Sequence, residues 1–327
     1  MALYVLTRRE LLASGAAACA AASLARAGVS SPQELTIGIA TFGFGSYSNA
    51  QLAEELAGAG VHCVQLFLSQ TDSNYWRYNS RSDLSDLSAG DCRRIADTYR
   101  SAGIAIHSIG VYTNLIHPEA SEREANLAYF EAMMQVGDHM DVHTFVTEAG
   151  HYYDPQAPAP PVEHHFQEEV WRTMVATGRE LARRAERHDA TVLFEPYYRH
   201  FFASAKRTRL YLEEVDSPHL RALLDPANLL ELNDLGEMFD QLEPWIECLH
   251  AKDRKLHVDR GVPAGEGDLD YHEFVRLAAE RTPHAPLILE YVGPDNYREA
   301  LAHLRSVIAA EYAAQAPVRC GAPQVDP

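Results

Sequence analysis

The sequence predicts an α/β protein built as a single (β/α)8 barrel behind an N-terminal signal segment. Three observations carry this expectation. Eight short β-rich runs alternate with eight helical patterns between Leu35 and Tyr312, the count of a closed barrel. A doubly wound open sheet is the competing α/β arrangement. The chain of 327 residues is 46% hydrophobic and 23% charged, enough apolar material for one large core. No low-complexity linker divides it. Residues 1–27 are therefore assigned to the signal and residues 28–327 to one barrel domain.

The chain opens with Thr7-Arg8-Arg9-Glu10-Leu11-Leu12, followed by an Ala-rich apolar run from Ala13 to Ala25. That run is too short to span a bilayer. A charged start, a weakly apolar middle and the small-residue ending Ala25-Arg26-Ala27 make a signal peptide. The paired arginines mark it as a twin-arginine (Tat) type, which implies a periplasmic protein with no stable membrane insertion after cleavage. Cleavage after Ala27 removes three Arg and one Glu, taking the net charge from −18 to −20.

Strand one, Leu35–Thr41, leads to a helix over Asn49–Ala59 with Asn49 as its N-cap and Gly58-Ala59-Gly60 as its stop. Strand two is Cys63–Leu68. Its helix, Ala89–Ser101, is capped by Ser88 and stopped at Ser101-Ala102-Gly103. Strand three, Ala105–Val111, precedes the helix Glu122–His139, and strand four, Val142–Thr147, precedes Phe166–His188. Between these last two lies Pro155–Pro161, the one Pro-rich segment, placed as a long βα loop over a barrel mouth. Strand five, Thr191–Glu195, is followed by Lys206–Val215 with Ser204 as N-cap. The remaining pairs are Arg221–Leu224 with Leu235–Trp245, Cys248–Ala251 with Tyr271–Glu280, and Leu287–Tyr291 with Tyr297–Tyr312.

Composition narrows the partners. A net charge of −18 disfavours nucleic acid and anionic membrane surfaces, both of which require clustered Lys and Arg. The five cysteines, Cys19, Cys63, Cys92, Cys248 and Cys320, are scattered with no CxxC spacing, so neither a disulfide scaffold nor a thiolate zinc site is indicated. Gly43-Phe44-Gly45 has Ser48 where a dinucleotide loop needs its third glycine. His164-His165 reads as a surface pair, since adjacent residues do not face one site well. No nucleophile elbow is present.

The chemistry lies in the second half. Strand five ends Val192-Leu193-Phe194-Glu195, strand six Ala222-Leu223-Leu224-Asp225, strand seven Cys248-Leu249-His250 and strand eight Leu287-Ile288-Leu289-Glu290. A carboxylate closing an apolar strand is costly to bury alone. One such residue reads as an ordinary strand end; four on consecutive strands converge across a barrel mouth. Three carboxylates and one imidazole suit one divalent ion, Mn²⁺ first, with Mg²⁺, Co²⁺ or Zn²⁺ as alternatives.

These strand ends, with Glu195-Pro196, Asp225-Pro226-Ala227-Asn228, His250-Ala251-Lys252-Asp253, Gly265-Glu266-Gly267-Asp268 and Glu290, resemble the xylose-isomerase-like TIM barrels of the sugar (phosphate) isomerase/epimerase superfamily. The intervals of 30, 25 and 40 residues between the four ligands match that family's Glu–Asp–His–Glu spacing. The resemblance implies Glu195 and Glu290 as an acid/base pair on opposite faces of an enediolate, with Asp225 and His250 as ligands only. Family ketose 3-epimerases carry a His where this chain has Asn228, and a second Glu where it has Phe201. The substrate clamp therefore differs. Asn228, Lys252 and Arg254 are candidate substrate contacts, and His107 and Glu148 fall near the ends of strands three and four. Export and an acidic chain favour an unphosphorylated sugar, keto-sugar or polyol as the small-molecule partner. The alternatives are a lyase or dehydratase on a keto-sugar or keto-inositol, and a non-catalytic sugar-binding barrel.

Overall fold

The computed structural model describes residues 35–151, 162–258 and 260–315; the signal segment and Pro155–Pro161 lie outside them. Eight parallel strands close into a barrel: β1 (Ile37–Ala40), β2 (Cys63–Leu66), β3 (Ala105–Gly110), β4 (Thr144–Thr147), β5 (Thr191–Phe194), β6 (Leu220–Leu224), β7 (Ile246–Ala251) and β8 (Leu287–Leu289). Each pairs with its sequence neighbours, and β8 returns to β1 through Ile37–Leu287 and Ile39–Leu289. The open-sheet alternative is thereby excluded. The helices outside are α1 (Asn49–Gly58), α2 (Ala89–Ser101), α3 (Ala120–Met140), α4 (Glu168–Arg187), α5 (Ala205–Val215), α6 (Leu235–Leu242), α7 (Tyr271–Arg281) and α8 (Tyr297–Gln315).

Several boundaries differ from the sequence expectation for identifiable reasons. Ser48, not Asn49, caps α1: its hydroxyl accepts from the Gln51 amide while the Gln51 side chain accepts from the Ser48 amide. Asn49 instead spends its side-chain amide on Asp72 and Ser73. Ser88 and Ser204 cap α2 and α5 as expected. The helix expected to reach Trp245 ends at Leu242, where Pro244 converts its last residues into a 3₁₀ turn, Glu243–Trp245.

Strand period sets the site. In β-structure every second residue faces the same side. Leu193, Leu223, Cys248 and Ile288 belong to the apolar cluster that fills the barrel interior. Two residues further along the same strands stand Glu195, Asp225, His250 and Glu290. The four polar groups therefore form the layer directly above the last apolar one, at the C-terminal mouth.

The loop after β7 explains two of the sequence motifs. Asp253 is buried, and its carboxylate accepts from the amides of Arg254 at 2.8 Å, Gly267 at 2.9 Å and Leu269 at 3.0 Å. It thereby ties the Gly265–Asp268 turn to a two-stranded hairpin formed by Asp253–Arg254 and Gly261–Val262. A Cβ at Gly267 would lie 2.2 Å from Asp253 Oδ1 and 2.5 Å from the Arg254 carbonyl oxygen. Gly267→Ala is expected to cost about 1–3 kcal/mol of stability, read as a lower Tm in thermal unfolding; an unchanged Tm would show that the loop relaxes freely.

Candidate metal and active site

Glu195, Asp225, His250 and Glu290 are all buried, and one potential ligand atom from each lies within 4.8 Å of the others. His250 Nδ1 faces the three carboxylates, 3.4 Å from Glu195, 3.5 Å from Glu290 and 3.7 Å from Asp225. It makes no hydrogen bond to any of them. The opposite ring nitrogen, Nε2, is 2.7 Å from Gln65 Oε1. Gln65 thus accepts the Nε2 proton, so that a metal displacing the Nδ1 proton would meet the Nδ1 lone pair on the side of the carboxylates. A buried ring nitrogen without a partner, aimed at three buried carboxylates, fits an oxygen-preferring divalent ion with one imidazole ligand.

Electrostatics point the same way. Burial disfavours a charged imidazole, but the Glu290 and Glu195 carboxylates outweigh it and hold the His250 pKa up at about 10. The field that retains this proton is the field that attracts a metal cation. Burial also raises the Glu195 carboxyl, with His250 offsetting part of the effect. For Asp225, burial is outweighed by the nearby Lys252 ammonium, and its pKa falls below the ordinary value. Lys252 Nζ lies 2.8 Å from both Asp225 Oδ2 and Glu290 Oε2 and supplies an ammonium to the cluster. Burial opposes that charge, but Asp225 and Glu290 raise the Lys252 pKa well above the ordinary lysine value.

The other expected residues are divided. Asn228 donates to Glu195 Oε1 at 2.8 Å, so it holds the carboxylate in place. Arg254 lines the cavity, but its Nε and one terminal nitrogen are spent on the carbonyls of Ala227 and Val258. Glu148 lines the cavity on the far side, accepting from Tyr78 at 2.7 Å and lying 3.3 Å from His200. His107 is a correction. The β2–β3 register skips between Val64–Ile106 and Gln65–Ser108, so His107 is the extra residue of a bulge. It bonds to the backbone of Glu247, near the start of β7, and burial lowers its pKa to about 4. It therefore sits toward the floor of the barrel, away from the mouth. His165 also differs from expectation: it is buried, with its ring 6.0 Å from that of His200, because the turn Val162–Phe166 packs beside the loop carrying His200.

Two residues that complete the cluster were not expected. Tyr112 donates to Glu195 Oε2 at 2.6 Å, and Gln65 orients His250. Gln65 stands two residues after Cys63, an inward position on β2, so the strand period carried a signal for it. Gln65→Leu leaves the His250 Nε2–H unpaired and is expected to weaken metal affinity by about 10–100-fold with the barrel intact. Competition against a chromophoric chelator measures this, and Gln65→Glu, which restores an acceptor, should recover most of the loss.

Above the cluster opens a cavity of about 540 Å³. Glu195, Asn228, Lys252, Arg254 and Glu290 line it from the β5–β8 side, and aromatic rings line it from the ends of β1–β3 and from Tyr291. Among the described residues no helix is long and apolar enough to cross a membrane.

The family described as xylose isomerase-like TIM barrel matches residues 53–307. No curated protein is significantly similar in sequence. Among solved structures, D-psicose 3-epimerase is 17% identical with a TM-score of 0.64, covering 84% of this chain and 99% of that one. The 3-keto-D-glucoside 4-epimerase YcjR from E. coli is 16% identical with a TM-score of 0.65, covering 83% and 99%. The probable 3-DHS dehydratase AsbF from Bacillus anthracis is 20% identical with a TM-score of 0.65, covering 86% and 98%. At these identities the likeness is one of fold.

Proposed function

This chain belongs to the xylose isomerase-like TIM barrel family, and we propose that it is a divalent-metal-dependent isomerase or epimerase of an unphosphorylated sugar, keto-sugar or polyol. One observation carries the reading. Glu195 and Glu290, from opposite ends of the β5–β8 half of the mouth, both face His250 Nδ1 from buried positions at the base of the cavity. Two carboxylates so placed can serve the two faces of one substrate carbon.

A divalent ion held by Glu195, Asp225, His250 and Glu290 would polarise substrate oxygens and stabilise the negative charge of an enediolate. The chain's own residues handle the proton. Glu195, whose proton affinity is raised by burial, is fixed by hydrogen bonds from Tyr112 and Asn228. With one oxygen also given to the metal, the other keeps a second lone pair for a proton from the carbon beside a carbonyl. Glu290, restrained by Lys252, returns a proton to the opposite face. The aromatic half of the cavity excludes water from the intermediate. Mn²⁺ is our first choice of ion. The Tat-type signal read in residues 1–27 places the activity, in this reading, in the periplasm.

A lyase or dehydratase would begin with the same proton abstraction and then expel a β-oxygen; the fold shared with a dehydratase keeps it as the second reading. A sugar-binding barrel would need no proton-transfer pair. Incubation with candidate sugars in D₂O separates the three. Deuterium incorporated into recovered sugar or its isomer supports isomerisation. Loss of water or an alcohol supports the lyase, and recovery of unlabelled sugar in every case would overturn both enzymatic readings.

A further inference from the structure

The cavity has two unlike halves. Strands β5–β8 contribute its charged groups, whereas Phe42 follows β1, Trp76 and Tyr78 follow β2, Tyr112 follows β3 and Tyr291 follows β8. These rings form one continuous arc. Tyr291 meets Phe42 at 6.4 Å between centroids, Phe42 meets Trp76 at 6.0 Å, Trp76 meets Tyr112 at 6.4 Å and Tyr112 meets Tyr78 at 6.2 Å. Tyr78 and Tyr291 are 46% and 42% exposed, so large rings stand open at the rim where the fold does not need them.

Polar groups accompany this arc. At the end of the arc the Tyr78 hydroxyl holds the Glu148 carboxylate, with His200 beside it. A carboxylate and an imidazole beside exposed aromatic faces match the surface of a sugar, whose hydroxyl edge is polar and whose C–H face is apolar. The volume, about 540 Å³, lies within the roughly 300–1,000 Å³ of sites for drug-sized ligands. A single pyranose is far smaller than such a ligand.

We propose that the cavity takes a glycoside: one sugar ring over the carboxylate–histidine base, and a second ring, sugar or aryl, stacked on the arc beside Glu148 and His200. This rests on the carbohydrate reading above and specifies its substrate class. The second ring contributes affinity through stacking, and its hydroxyls, where it is a sugar, hydrogen-bond to Glu148.

The test compares binding within matched sets. A panel of hexoses and pentoses is offered to the protein as free sugars, as phenyl glycosides and as glucosyl disaccharides. Binding is followed by calorimetry and by fluorescence, Trp76 being one of three tryptophans. At least one glycoside is expected to bind roughly tenfold tighter than its free sugar, the increment that one aromatic stacking contact supplies. Which glycoside gains identifies the second ring as aryl or sugar. Trp76→Ala and Tyr78→Ala should each remove the increment and leave the free sugar unaffected. Trp76→Phe, which keeps an aromatic ring, should retain most of the increment. Tyr78 is half exposed, so its truncation leaves the core untouched even if Trp76→Ala folds poorly. Equal affinities within every set, no saturable binding by any probe, or variants that weaken free sugar and glycoside alike would overturn the proposal. Glycoside selectivity without solvent exchange would instead overturn the proton-transfer reading and keep this one.

Discussion

With metal occupancy unchanged, Glu290→Gln is expected to lower kcat by roughly 10²–10⁴-fold while KM moves little. Glu195→Gln should do the same. A glutamine offers the metal an oxygen of similar placement but cannot carry a proton. The structure sharpens this test. Glu195 already accepts from Tyr112 and Asn228, so a glutamine in its place must turn its amide to keep one of these bonds. Glu290 keeps the ammonium of Lys252 as its neighbour. Occupancy must be measured on the assayed samples, because loss of the ion imitates loss of the base. Should both variants retain metal and near-normal turnover, the glutamates are ligands only. The proton would then pass through Lys252, since His107 lies toward the barrel floor.

The second large effect is on stability. Lys252 is 3% exposed and ion-paired to both Asp225 and Glu290 at 2.8 Å. Lys252→Met removes this ammonium from a cluster of three buried carboxylates. In chelator-treated protein it is expected to lose about 3–5 kcal/mol, the cost of leaving buried charge uncompensated, measured by urea unfolding. Adding a divalent ion should narrow the difference, because the ion takes over part of the neutralisation. A variant as stable as wild type under chelation would mean that the carboxylates are protonated or hydrated rather than held charged by Lys252.

Much of this site could be read from the chain because a strand has a period of two. An apolar inward residue followed two positions later by Glu, Asp or His at a strand end is a local pattern, and four copies of it lie within about a hundred residues of sequence. The eight-fold alternation pointed to a barrel for the same reason, through short-range signals that each element carries itself, and the closure of β8 on β1 decided against an open sheet. What escaped is non-local. Gln65 and His250 are 185 residues apart in sequence, and only barrel closure brings them to 2.7 Å. Tyr112 lies past the end of β3 and looks like loop aromatic surface until the mouth closes over Glu195. The aromatic arc is drawn from four separate loops, none of which announces a common cavity.

His107 failed for the opposite reason: its place was inferred by counting along the strand. A bulge inserts one residue opposite the β2 partner and breaks the count, and the ring ends among groups near the start of β7. His165 differs because two adjacent histidines read as surface in sequence, whereas the turn that carries them buries His165 beside His200. The contribution of the motif Gly265–Asp268 is mechanical: the Gly267 amide, with that of Leu269 just after it, binds Asp253.

The central claim is that Glu195, Asp225, His250 and Glu290 form one metal centre. Elemental analysis of the protein purified without added metal or chelator tests it most directly, with His250→Ala prepared in parallel. Wild type is expected to hold about one divalent ion per chain, bound through these four side chains. His250→Ala should lose the ion yet still fold to the same barrel, read as an unchanged far-UV circular dichroism spectrum, because the barrel is packed by the apolar residues beneath the site. Wild-type protein with no bound ion and an activity indifferent to chelator would contradict the account.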